Sequence, residues 1–208
     1  RHFVENAAHE LQTPLAVCMN KLELLSEHPD CTEDQLKEIA GLHQALNGII
    51  RLNKSLLLLS RIDNKQFPET RDICLNHLIH KILEGINDIY ERKALHLRVS
   101  EKESLVCTMN ESLATTLITN LIKNAYVHNY EKGDIGITIS RRMLTIANTG
   151  IDKTLDKELL FARFASQSKQ QESTGLGLAI VKSIVDLYSI RIDYQYANGM
   201  HTFTLLFY

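Results

Sequence analysis

His9-Glu10-Leu11-Gln12-Thr13-Pro14-Leu15 places an imidazole, a carboxylate, a hydroxyl and a proline within about two helical turns. Around this stretch Phe3, Ala7, Leu11, Cys18, Leu22 and Leu25 recur at three- and four-residue steps, with Pro14 in the one missing stripe position. That spacing predicts a single amphipathic helix. His9 lies two residues from both Ala7 and Leu11, about 200° around the helix from each, and so heads for solvent. Thr13, four residues on, stacks over the same outward face. A neutral imidazole has a lone pair to offer a phosphoryl group, and an unperturbed pKa of roughly 6.5 keeps it mostly neutral near pH 7. Glu10 can take the proton of the other ring nitrogen. Pro14 inside a helix costs about 3 kcal/mol and normally bends the axis.

Outward from this helix the pattern breaks at His28-Pro29-Asp30-Cys31-Thr32, and Thr32 with Gln35 forms a candidate capping box for a second helix. Ile39, Leu42, Leu46, Ile49 and Leu56 give that helix a heptad-like seam running to about Ile62. Two helices alone cannot cover both seams. The economical solution is a four-helix bundle built by two chains, hence a homodimer. The polar run Asn64-Lys65-Gln66-Phe67-Pro68-Glu69-Thr70 then marks a boundary, dividing the chain into a hairpin (1–63), a linker (64–70) and a second domain (71–208). Within that domain the pattern predicts strands at 71–74, 95–100, 105–109, 134–140, 143–148, 191–197 and 202–207, and helices at 75–92, 110–129 and 176–188. A long polar connection at about 151–174 has the length of a functional loop.

The 208 residues carry a formal net charge of -2, with basic residues scattered rather than clustered, which argues against an extended nucleic-acid site. Cys18, Cys31, Cys74 and Cys107 lack zinc-type or disulfide-framework spacing and read as thiols in a reducing compartment. The longest apolar run, Leu56 to Leu59, is far short of the roughly 20 residues that span a bilayer, so no membrane contact is expected of this segment. The chain opens on Arg1 inside a helical pattern with no N-cap signal, from which upstream sequence is expected.

A second constellation lies downstream. Asn120, Asn124 and His128 form a polar line at four-residue steps beside the apolar line Leu113, Leu117, Leu121 and Ala125. The Asn124 carboxamide oxygen is a hard donor suited to Mg2+. Asn148-Thr149-Gly150 ends an apolar strand, where Asn148 can meet a nucleobase edge and Gly150 lets backbone approach a ligand. Gly175-Leu176-Gly177-Leu178-Ala179 opens a helix whose free N–H groups suit phosphates.

Taken in order, these stretches resemble the sequence boxes of two-component sensor histidine kinases. His9 to Leu15 is similar to the H-box, Asn120-Leu121-Ile122-Lys123-Asn124-Ala125 to the N-box, and Asn148-Thr149-Gly150 to the G1 box. Phe161-Ala162-Arg163-Phe164 is similar to the F-box and Thr174 to Ile180 to the G2 box. The resemblance implies an α+β chain: a dimerising helical hairpin followed by a two-layer α/β sandwich of the Bergerat type. It implies His9 as phosphoacceptor, Glu10 orienting or deprotonating it, and Thr13 positioning water when phosphate is removed from the partner. ATP is the implied nucleotide, with Asn124 on Mg2+, Asn120 and His128 along the nucleotide, and Gly175 and Gly177 near the phosphates. Phe161 and Phe164 would anchor the base of a lid at about 151–174, and Arg163 would reach either the triphosphate or the hairpin. The implied partner is a response regulator receiver domain, and the implied setting is the cytoplasmic part of a membrane-anchored bacterial protein with upstream membrane-spanning sensor segments.

Three positions depart from the family pattern. Asn148 stands for the usual Asp, which predicts retained adenine binding with weaker discrimination against guanine. Val127 stands for a basic residue and Asp152 for a glycine. They leave open a Bergerat-type ATPase or a nucleotide-gated dimeric scaffold as the alternative.

Overall fold

The computed structural model describes residues 2–164 and 175–208, with side chains from Glu10 onward. Helix α1 (His2–Ser26) continues through Pro14 without a break. Helix α2 (Glu33–Asp63) opens on the expected capping box: Thr32 Oγ1 accepts from the Gln35 N–H at 3.3 Å, and Gln35 Oε1 accepts from the Thr32 N–H at 2.9 Å. The predicted apolar stripe of α1 splits between two faces. Leu22 is buried, with Leu15 and Met19 half-buried, whereas Leu11, Cys18 and Leu25 lie exposed.

The second part of the chain begins with β1 (Arg71–Cys74), which pairs antiparallel with β3 (Val106–Met109). Between them come α3 (Leu75–Tyr90), a 3-10 turn (Glu91–Lys93) and β2 (His96–Glu101). Next follow α4 (Glu111–Val127), β4 (Asp134–Ser140), β5 (Met143–Thr149), the short α5 (Lys157–Leu160), α6 (Gly177–Leu187), β6 (Arg191–Ala197) and β7 (Met200–Leu206). Five strands form one sheet in the order β2-β4-β5-β7-β6, with β2 parallel to β4 and the other pairs antiparallel.

Strict alternation in β4 sends Ile135, Ile137 and Ile139 inward, and in β5 Leu144 and Ile146 do the same. On that face α4 and α6 pack side by side, with α3 against α4, giving two layers around one core. The core does not stop at the linker. Leu59 and Ile62, from the last turns of α2, are buried in it, and α2 packs against α6.

Candidate functional site

Helix α4 is fixed at its start by Asn110, whose Oδ1 accepts from the Ser112 and Leu113 N–H groups at 3.0 and 3.3 Å. Its apolar line, Leu113, Leu117, Leu121 and Ala125, is buried, which turns Asn120, Asn124 and His128 toward the outer side. Asn120 donates Nδ2–H to the Thr116 carbonyl at 2.8 Å, and its Oδ1 faces the start of α6. A Cβ added to Gly177 would lie 2.9 Å from that oxygen. Asn124 is half-buried and makes no side-chain hydrogen bond to another described residue. His128 closes the helix. Its rim meets solvent, but desolvation of the ring, followed by the charge of Lys93 and the nearby His201, holds its pKa below the ordinary histidine value and keeps it neutral.

The end of β5 lies alongside. Asn148 is buried at 2% exposure and donates Nδ2–H to the Thr149 carbonyl at 2.8 Å. A carbonyl only accepts, so one of the two N–H donors of the carboxamide is used there. Oδ1 is left on the other side, with no partner among the described residues. No side-chain N or O among them is sealed from solvent without a partner, so this oxygen has access to the cleft. A Cβ on Gly150 would lie 3.0 Å from both the His128 carbonyl oxygen and His201 Cδ2, so glycine lets the strand end run this close without displacing either. Below it, Thr149 Oγ1 donates to Asn129 Oδ1 at 2.6 Å and accepts from the Asp134 N–H at 2.9 Å, tying α4, β4 and β5 together.

The third wall is the start of α6. Gly175 takes φ +68°, and no side chain of a described residue caps this 11-residue helix, whose N-terminal end is of the kind that suits an anion. The Phe164 N–H donates to the Gly175 carbonyl at 3.2 Å, joining the two described ends of the polar connection. Phe161 packs edge-on against Phe203, with centroids 6.5 Å apart, as an anchor should. Phe164 does not share that role: its ring is 60% exposed and its backbone makes the contact instead.

Asn120 and Gly177 thus meet at one end of the cleft, and His128 and Gly150 at the other, with Asn124 between and Asn148 on the floor. Arg163 lies elsewhere, donating Nη2–H to Asp63 Oδ2 at 2.8 Å at the foot of the hairpin. Glu10 and Thr13 are exposed on α1; the His9 side chain and residues 165–174 of the expected lid lie outside the described residues.

Sequence reasoning missed Lys93. Its ammonium donates to the carbonyls of Tyr126, Val127 and Asn129 at 2.9, 2.8 and 3.0 Å, setting a cation at the C-terminal end of α4 next to Val127. It also missed Tyr194, Tyr196 and His201. The available signal was Asn198-Gly199, both at positive φ, a two-residue hairpin turn that fixes the pairing of β6 with β7.

Two family models match the chain: His Kinase A (phospho-acceptor) domain over residues 1–65, and Histidine kinase-, DNA gyrase B-, and HSP90-like ATPase over residues 109–207. The Heme sensor protein HssS of Staphylococcus saprophyticus is 34% identical over all of this chain and 46% of its own length. That of Staphylococcus aureus is 33% identical over 99% of this chain and again 46% of its own. The chain therefore spans about half the length of these relatives. Among solved structures, full-length ShkA in complex with AMPPNP superposes with a TM-score of 0.76 at 16% identity, covering all of this chain and 46% of that one. The Acinetobacter baumannii histidine kinase AdeS superposes at 0.66 with 21% identity, covering 95% of each. These two likenesses show the fold. With a phospho-acceptor hairpin and the ATPase sandwich following it in one chain, the protein belongs to the two-component sensor histidine kinases, as their catalytic core.

Proposed function

We propose that the chain binds ATP in the cleft between α4, the end of β5 and the start of α6, and transfers the γ-phosphoryl group to His9. The observation that carries this is the glycine-lined closeness of the cleft: side chains at Gly177 or Gly150 would collide with Asn120, the His128 carbonyl or His201. Such walls let backbone N–H groups approach a polyphosphate.

Asn148 accepts from the adenine amino group through Oδ1. The Thr149 carbonyl takes one of the two N–H donors of Asn148 and the other remains, so discrimination against guanine is weaker than an Asp gives. Asn124, half-buried and unengaged by described side chains, holds Mg2+, which supplies charge neutralisation on the phosphates. Asn120 and His128 line the nucleotide, and the glycines Gly150, Gly175 and Gly177 give it room. Arg163 acts at the hairpin, where Asp63 holds it, rather than on the triphosphate.

In the transfer, a ring nitrogen of His9 bonds to the γ-phosphorus as the bond to the β-bridging oxygen breaks, releasing ADP. Glu10 takes the proton from the other ring nitrogen. The phosphoryl group then passes to an aspartate of a response regulator receiver domain, and Thr13 positions water when the phosphate is removed again. The exposed apolar face of the hairpin is covered by a second copy, giving a homodimer, with 1–63 as hairpin, 64–70 as linker and 71–208 as the ATP-binding domain. Among the described residues no helix is long and apolar enough to cross a membrane. We place the chain on the cytoplasmic side of a longer, membrane-anchored sensor, a reading supported by the greater length of its staphylococcal relatives. The alternative of an ATPase or scaffold has no use for a phospho-acceptor domain over 1–65.

Incubation with γ-labelled ATP and Mg2+ is expected to give an acid-labile, base-stable adduct that disappears in His9→Gln. An adduct that persists in that variant rejects the assignment.

A further inference from the structure

The turn Asn198-Gly199 has both φ angles positive, at +53° and +76°, the backbone hand that joins two antiparallel strands with least splay. It sets Tyr196 opposite His201 and Tyr194 opposite Phe203, while β7 sets His201 opposite Asn148 of β5. The period of two then puts Asn148, His201 and Tyr196 in one row at the end of the core face, beside the next row of Ile146, Phe203 and Tyr194. The rings stack accordingly, His201 lying 4.7 Å from Tyr196 and 6.0 Å from Tyr194, centroid to centroid.

These two rows grip the segment that follows Gly150 at three points. His201 Nε2 reaches the Ile151 carbonyl at 2.8 Å, the Tyr196 hydroxyl donates to Asp152 Oδ1, and the Leu155 N–H donates to the Tyr194 hydroxyl at 3.3 Å. The directions are fixed by chemistry. Ile151 O only accepts, so His201 carries its proton on Nε2, and the Nδ1 lone pair takes the Tyr194 O–H at 2.7 Å. The bond to Asp152 raises the Tyr196 phenol above its ordinary value, so it remains a donor.

We propose that His201, Tyr194 and Tyr196 are positioning residues of the nucleotide site, clamping Ile151 to Leu155 so that Asn148 and Gly150 keep the geometry in which they meet the base. Asp152, which replaces a glycine of the family pattern, is the grip for Tyr196, not a defect. None of the three aromatic residues needs to touch the nucleotide; they act through Gly150, whose Cα faces the His201 ring.

The proposal rests on the nucleotide reading above, and its test separates the two. Affinity of the full chain for a non-hydrolysable ATP analogue with Mg2+ is measured by calorimetry, and amide exchange over residues 151–155 is followed without nucleotide. Tyr196→Phe and Asp152→Ala are each expected to weaken binding about three- to tenfold, the effect of one lost hydrogen bond, with the double variant no weaker than either single one. Exchange at 151–155 is expected to speed up while the α4 core stays protected. At saturating nucleotide, labelling of His9 is expected to keep its native rate, the loss falling on KM. His201→Leu is expected to exceed these effects, with His201→Gln, which retains a donor for Ile151, recovering part of the affinity. Additive losses, unchanged exchange, or faster exchange with native affinity each overturn the positioning role. A native chain that binds no analogue overturns the nucleotide reading and the positioning role together, whereas the exchange data by themselves report on the clamp.

Discussion

The hairpin and the sandwich handle their apolar residues in opposite ways. In α1 and α2 Leu11, Leu24, Leu25, Leu42 and Ile49 are each about half exposed or more, whereas in the sandwich Leu113, Leu117, Ile118 and Ile122 have no exposure at all. The sandwich closes most of its core with its own layers. The hairpin leaves its upper apolar face open and, at its foot, lends Leu59 and Ile62 to the sandwich. One half thus covers nearly all of its own apolar face, and the other leaves much of its apolar face open.

The contrast breaks most visibly at the cores. Leu117→Ala is expected to cost about 2–5 kcal/mol, and the loss should be the same at every protein concentration. Leu42→Ala should instead change stability only through the dimer, so its effect on denaturant midpoints grows or fades with concentration. Equal, concentration-independent losses in both variants would dissolve the distinction.

A smaller effect sharpens the picture of the sandwich's partly desolvated site. Burial depresses the pKa of His128 below its reference of 6.5. Between that lowered value and the ordinary one the unfolded chain holds a proton that the native chain does not. This contribution to stability is therefore complete above the ordinary histidine pKa and shrinks as pH falls toward the lowered value. In His128→Gln the slope of stability against pH over that window should flatten; an unchanged slope would mean that the ring titrates freely.

The smallest effect lies where the two regions meet. Asp63 and Arg163 are about half exposed, at 49% and 52%, so Asp63→Asn should cost no more than about 1 kcal/mol and less in high salt. A larger loss would show that this pair, rather than Leu59 and Ile62, holds the hairpin to the sandwich.

Much of this molecule is legible in the sequence because its signals are local. The strands at 134–140 and 191–197 and the capping box at Thr32 follow from period-two alternation and from side chains three residues apart, and they stand where the pattern put them. The final strand begins two residues before its expected start, at Met200, because the Asn198-Gly199 turn needs only two residues to reverse the chain. The expected stripe of α1 mixes a covered Leu22 with open Leu11 and Leu25, since spacing identifies an apolar face but not whether anything lies on it. Phe164 shows the same limit: an aromatic at an anchor position whose ring faces solvent and whose backbone makes the contact.

By itself the sequence determined the order of the two units, the helix and strand periods, and the residue types that line a cleft, because these depend on neighbours within one or two turns of chain. Only the tertiary structure decided which end of the Asn148 carboxamide faces the cleft, that Arg163 pairs with Asp63, and that His201 reaches Ile151. Those outcomes turn on strand register and on groups far apart in the chain competing for one hydrogen bond, and no local period records which of them wins.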